Sequence, residues 1–273
     1  MMVPQRIGFV GLGSMAQALF KRWIAVGAVQ AGDVYGYDPN VSLCGALRES
    51  LGINIVGDNS ELALRCDALV LAVKPRYVEE ALARLPLQLM VGDFSGKAVL
   101  SVVTGLTTAA LAERLPGAMV ARVMPNTPAM VGEGVFAVSR EHTFSEELTG
   151  WMTRLLESCG RVFFVEESDL EAVTGLSGSG PAYGFVFIEA MADAGVRLGL
   201  PRATAYEMAA QTLAGAGRMA LESGQIPAAL KDAVCSPGGT TIEAVYALER
   251  GGFRAAVIDA VCASAAKAAA LRG

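Results

Sequence analysis

The chain has 273 residues, 53% of them hydrophobic and 18% charged, with a formal net charge of −5. That length exceeds most single cores and predicts two domains, while the apolar content argues against disorder. The acid excess without a basic stripe argues against nucleic acid and anionic membrane partners, and no stretch reaches the roughly 20 apolar residues that span a bilayer.

The first residues run into QRIGFVGLG without the ordered regions of a signal peptide. RIGFV (Arg6 to Val10) predicts a buried strand, followed by a helix from Met15 to about Val26. DVYGY (Asp33 to Tyr37), DALVLAV (Asp67 to Val73), KAVLSVV (Lys97 to Val103) and AMVARVM (Ala118 to Met124) predict four further strands. GVFAVS and RVFFV add edge strands around a helix at 146–158. Apolar strands alternating with helices imply a parallel sheet covered on both faces. Past Val165 the strand-like runs end and alanine-rich helical segments take over, with Pro201 and Pro227 at first-turn positions. The expected fold is therefore α/β, with an N-terminal Rossmann-type dinucleotide-binding domain over 1–165 and an all-α C-terminal domain over 166–273. The helical half carries a high apolar load, which fits either a subunit interface or a bundle packed within the chain.

Five scattered cysteines without a C-x-x-C pair suit free thiols in a reducing cytosol rather than disulfides or zinc. The one histidine, His142, falls in the polar turn SREHTFSEE and is expected on a solvated loop. A Ser-His-Asp triad, a multi-histidine metal site and a histidine relay are thereby disfavoured, and no metal is expected.

GLGSMA, residues Gly11, Leu12, Gly13, Ser14, Met15 and Ala16, fits G-x-G-x-x-A between a strand and a helix. Gly11 permits the tight turn, Gly13 lets a pyrophosphate reach the backbone, and Ala16 lets the helix lie on the strand. The helix N-terminus adds amide donors and positive dipole. Asp38, closing the second strand, can accept from an adenosine ribose; an Asx turn in DPN is the other reading. AVKP (Ala72, Val73, Lys74, Pro75) and MPNTPA, with Asn126, lie at the carboxyl ends of strands, where open α/β sheets bind ligands. In LSGSGPAY, glycines within a helical pattern cost about 1 kcal/mol each and imply close approach of a helix or a ligand. In CSPGGTTIEAV, Ser236, Gly238, Gly239, Thr240 and Thr241 open a helix whose N-terminus can hold a carboxylate; a plain turn with a threonine cap is the alternative.

Together FVGLGSMAQAL, LAVKP, RVMPNTPA, LSGSGPAY, GLPR and VCSPGGTTIEAVYALERGGFRAAV resemble, in order and over nearly the whole chain, the pyrroline-5-carboxylate reductase family. The resemblance implies a cytoplasmic enzyme that reduces 1-pyrroline-5-carboxylate to L-proline with NADPH or NADH, the last step of proline biosynthesis. It implies a helical dimerisation domain, with dimers often assembled into decamers. Carried onto this sequence, Gly11 to Ala16 hold the pyrophosphate, Asp38 and Asn59 lie near the adenosine ribose, and Ala72 to Pro75 and Asn126 near the nicotinamide half. Ser236, Gly238, Gly239, Thr240 and Thr241 hold the substrate, with Ser236 and Thr241 at the reacting end. One position departs: several members place a serine or threonine where Asp38 stands, to accept a 2′-phosphate, although Asn59 remains able to help hold that group. A Rossmann reductase of 3-hydroxy acids or of other imines, and a nucleotide sensor without activity, are the competing classes. The first of these usually needs a lysine in the central helix, where this chain has SGSGPAY.

Overall fold

Short apolar runs without polar alternation leave neither face of a strand to water. All residues of β1 (Ile7–Val10), β4 (Ala68–Leu71) and β5 (Ala98–Ser101) are buried accordingly. Along them side chains alternate between two apolar clusters: Ile7, Phe9, Val70 and Leu100 enter one, Val10, Leu69, Leu71 and Val99 the other. The computed structural model describes residues 3–83 and 96–271. Its other strands are β2 (Val34–Tyr37), β3 (Asn54–Ile55), β6 (Met119–Met124), β7 (Gly134–Ser139) and β8 (Gly160–Val165). They form one sheet in the order β3-β2-β1-β4-β5-β6-β7-β8. Pairing is parallel from β3 to β6, antiparallel between β6 and β7, and parallel again between β7 and β8. Of the two expected edge strands only β8 lies at an edge; β7 is enclosed between β6 and β8. The two-residue β3 is too short to show any alternation and is not legible in the sequence.

Helices α1 (Ser14–Ala25), α2 (Val41–Leu51), α3 (Asn59–Arg65), α4 (Val78–Ala83), α5 (Thr108–Arg114) and α6 (Glu146–Glu157) intervene between the strands. Short polar side chains set their starts: Asn40, Asp58, Thr107 and Ser145 accept from Leu43, Glu61, Ala110 and Leu148 amides. A buried ionic cluster braces β6. The Arg122 guanidinium lies 3.2 Å from Glu167 Oε1 and 3.5 Å from Glu171 Oε1. Burial alone would raise the Glu167 pKa, but hydrogen bonds from Thr108 and Arg122 outweigh it and hold the carboxyl below its usual range. His142 is not on a solvated loop. It is half-buried, with ring centroids 6.1 Å from those of Phe144 and Phe164, because the turn folds back over these rings.

The chain divides into two compact units, Met1–Ser179 with Ala263–Gly273, and Gly180–Cys262. The sheet ends with β8 at Val165, and α7 (Leu170–Val173) with one turn of π-helix, Thr174–Gly178, completes the first unit. The second contains α8 (Gly180–Arg197), α9 (Arg202–Glu222), α10 (Pro227–Ala233), α11 (Thr240–Arg250) and most of α12 (Phe253–Ala269). Helices α8 and α9 approach closely at Gly195, where a Cβ would stand 3.1 Å from that of Ala205. Inside this unit Ala192, Ala205 and Ala209 are buried, whereas Phe185 is 63% exposed and Tyr246 62%. Val186, Met208, Leu221 and Ile258 are exposed too. A single copy leaves this apolar surface in water, which favours an interface over an internal bundle. No helix among the described residues is long and apolar enough to cross a membrane.

Candidate active site

At the end of β1 the chain turns through Gly11 with φ 90°, a left-handed value that a side chain would strain. A Cβ there would also lie 2.9 Å from Val73 Cγ1 and 3.0 Å from the Ala72 carbonyl. Gly13 caps α1 without a side chain, and nothing stands within 4 Å of the Cβ position it lacks. The first amides of α1 therefore face open space, the arrangement that receives a phosphate. Leu12 and Ala16 support this turn from beneath: both are fully buried, and neither lines the cavity above. The Leu12 amide donates to Asp38 Oδ2 at 2.9 Å, and Gln17 Nε2 donates to the Leu12 carbonyl.

Over this turn opens a cavity of about 1020 Å³, at the upper end of the roughly 300–1,000 Å³ usual for ligand sites. Its walls come from the carboxyl ends of β1, β2, β4, β5 and β6. Gly11, Gly13, Ser14, Met15, Asp38, Asn59, Ala72, Val73, Lys74 and Pro75 all line it. Asn126 does not. It is buried, its Nδ2 donates to the Ser177 carbonyl at 3.0 Å, and its Oδ1 accepts from the Val135 amide at 2.9 Å. It braces the end of β6, while its neighbours Pro125 and Thr127 reach the cavity.

Asp38 forms the Asx turn and also borders the cavity. Oδ1 accepts from the Asn40 amide at 2.9 Å, an Asx turn, and Oδ2 holds Leu12, while the same carboxylate lines the cavity. Asn59 is buried, and its Nδ2 donates to the Ala81 carbonyl at 3.0 Å. A carbonyl only accepts, so the donating end of this amide faces Ala81. No donor among the described residues reaches its Oδ1.

The glycines of LSGSGPAY have a local explanation. Ser179 N bonds to Thr174 O at 2.9 Å, the i→i+5 closure of the π turn. That turn sets Thr174, Gly178 and Ser179 against the cavity, and the Cβ position of Gly178 lies 3.8 Å from Met124 Sδ. Sequence reasoning missed Ser264 and Lys267, which enter the same wall from the end of α12. The Ser264 and Ser179 hydroxyls meet at 2.7 Å. A polar pair three residues apart in an alanine-rich helix was the available signal.

In the second unit the loop before α11 turns through Gly238 at φ 64°. Gly239 caps the helix, its N–H donating to the Ser236 carbonyl at 3.0 Å, and a Cβ there would overlap Ser236 Oγ. The cap is thus a glycine, not a threonine. Thr240 and Thr241 are the first two helical residues, and no hydrogen bond within the described residues occupies their hydroxyls or that of Ser236. Thr241 is half-buried; Ser236 and Thr240 are exposed.

The strand order reverses between β1 and β4, and the cavity lies over that reversal. Doubly wound sheets bind dinucleotides there, which makes this a dinucleotide-binding protein of the Rossmann class. Residues 167–271 match the family described as pyrroline-5-carboxylate reductase dimerisation, and residues 6–105 match NADP oxidoreductase, coenzyme F420-dependent. Pyrroline-5-carboxylate reductase of Escherichia coli is 41% identical over 247 residues, 90% of each chain. Human pyrroline-5-carboxylate reductase 2 is 40% identical over 250 residues, 89% of this chain and 76% of that one. A crystal structure of the Plasmodium falciparum pyrroline carboxylate reductase with NADP bound aligns over 100% of both chains, at 32% identity and a TM-score of 0.88. The chain belongs to the pyrroline-5-carboxylate reductase family.

Proposed function

We infer that this protein reduces 1-pyrroline-5-carboxylate to L-proline by hydride transfer from NAD(P)H, the last step of proline biosynthesis. The observation that carries the reading is a glycine-turn cavity on the carboxyl edge of the sheet, in a chain alike to these reductases over nine-tenths of its length. The residues fit the nucleotide: an open helix N-terminus for the pyrophosphate, a carboxylate for a ribose, and the uncapped Asn59 Oδ1 as a further acceptor.

The nicotinamide supplies the hydride. The protonated cyclic imine is already electrophilic at carbon, so the protein's tasks are positioning and exclusion of water. Gly11 to Ala16 hold the pyrophosphate, directly or by shaping the turn, and Ala72 to Pro75 border the nicotinamide half. The amides of Gly239, Thr240 and Thr241 at the start of α11 receive the substrate carboxylate without a basic side chain. The hydroxyls of Ser236 and Thr241 have no partner among the described residues, and Thr241 hydrogen-bonds the ring nitrogen, its hydroxyl oxygen accepting from the N–H of the protonated imine. No imidazole is required, in keeping with a single half-buried histidine.

The functional division falls at 165/166, between the dinucleotide-binding part and the helical dimerisation and substrate part. The end of β8 and the start of the dimerisation match support it. The working unit is a homodimer, with a decamer as the larger assembly, and the compartment is the cytoplasm, which five free thiols suit. The test is an assay of purified protein with pyrroline-5-carboxylate and each reduced nicotinamide. Nucleotide oxidation matched by proline formation is expected. Nucleotide binding without proline formation would make the chain a sensor, and turnover confined to another imine would reassign the substrate.

A further inference from the structure

We propose that Asp38 makes this chain select NADH over NADPH. The inference rests on the reductase reading above and adds to it which nucleotide is used.

The Asp38 carboxylate is fixed from both sides. Oδ2 accepts from Leu12 N and Oδ1 from Asn40 N, each at 2.9 Å. An ionised carboxylate accepts about four hydrogen bonds, so each oxygen keeps a lone pair for a second donor. Two vicinal ribose hydroxyls supply two such donors. A 2′-phosphate leaves only the 3′-hydroxyl of the two and sets about −1.5 to −2 of charge against the carboxylate. Because two backbone amides hold the carboxylate, it cannot rotate out of the way without opening the glycine turn.

Among the described residues, the rest of this rim offers a phosphate no cation in exchange. Asn59, which the family resemblance placed at the ribose, points its amide nitrogen at Ala81 and is left with an unpartnered acceptor, Oδ1. The cations among the cavity-lining residues are Lys74 and Lys267. Lys74 follows β4, which lies two strands from β2 with β1 between them, so its backbone stands about 10 Å from that of Asp38 at the usual strand spacing. Lys267 is one helical turn from Ser264, whose hydroxyl meets Ser179 just past the π turn beside Met124 of β6. That is the nicotinamide side of the sheet. Acceptors gather at the adenosine end and cations at the other.

Calorimetric titration of the full-length protein with ADP-ribose and with 2′-phospho-ADP-ribose reads this end of the cavity without any hydride transfer. The native protein should bind ADP-ribose at least about tenfold more tightly, the scale of a like-charge juxtaposition. Asp38→Ser should narrow that ratio about tenfold or reverse it. Asp38→Asn keeps the shape and one amide acceptor, and should narrow the ratio even if the serine variant fails to fold. Equal or tighter binding of the 2′-phosphorylated compound by the native protein overturns the proposal. A ratio unchanged in both variants overturns it as well. Proline formation at saturating NADPH or NADH would meanwhile leave the reductase reading standing, whereas binding of neither compound would overturn both.

Discussion

Arg122 of β6 and Glu167, 3.2 Å apart, form an ion pair with side chains only 1% and 4% exposed. Glu167 also takes two hydrogen bonds from Thr108. Removing Glu167 leaves the dry Arg122 guanidinium with Glu171, 3.5 Å away, and costs up to about 3–5 kcal/mol, whereas replacing all three charged residues with apolar ones costs far less. Glu167→Leu should therefore lower the urea midpoint strongly. Arg122→Met with Glu167→Leu and Glu171→Leu should recover much of that loss. Losses that add across the three changes would mean these charges do not interact.

Gly11→Ala places a side chain at a left-handed φ and against the Ala72 carbonyl. A loss of at least about 1–2 kcal/mol in stability is expected. Nucleotide affinity, read by titration, should fall further than stability alone explains, on the proposal that this turn receives the pyrophosphate. Unchanged affinity in a folded variant would remove the pyrophosphate from this turn.

Thr241→Ala should lower turnover on the order of 10²-fold by analogy with deletion of one positioned donor, while nucleotide affinity stays nearly intact. Gly239 is the helix cap, so the melting temperature should barely move. Full turnover in this variant would transfer the contact with the ring nitrogen to Ser236 or to water.

Burial lowers the pKa of His142 below its ordinary 6.5. Below about pH 6.5 the unfolded chain then binds the proton more readily than the folded one, so stability falls as pH drops and is level above that value. Its Nδ1 has no hydrogen-bond partner among the described residues. His142→Gln should flatten the melting temperature between about pH 5 and 6.5, and an unaltered slope would assign the effect to carboxylates.

The exposed apolar side chains of α8, α9 and α11 predict a dimer or larger in dilute solution. Sedimentation should show no stable species at the 28.3 kDa mass of one chain, and the melting temperature should rise with protein concentration. A compact monomer with a concentration-independent melting point would contradict this.

What the sequence made legible was local. Apolar runs marked β1, β4, β5 and β6, and the glycine turn declared itself because only glycine tolerates the φ of Gly11. The π turn at Thr174–Gly178 was visible only as misplaced glycines, since its i→i+5 closure leaves no periodic trace. Asn126 was correctly placed at a strand end, but whether it faces ligand or brace depended on Ser177, 51 residues on, and on Val135 at the start of β7. His142 misled for a related reason: a polar turn says nothing of the Phe164 ring it folds against.

The two amides that fasten Asp38 also constrain how this lineage can change. One side chain shapes the glycine turn through Leu12 and borders the cavity above it. A substitution that welcomes a 2′-phosphate simultaneously releases the Leu12 amide, so a gain in one coenzyme arrives with a loosened site for both. The accessible order of mutations is therefore restricted: a new partner for Leu12 must arise first, and only then does exchange of Asp38 become tolerable. Exchange of Asp38 for serine alone should therefore narrow the difference between the two coenzymes while weakening the hold on both.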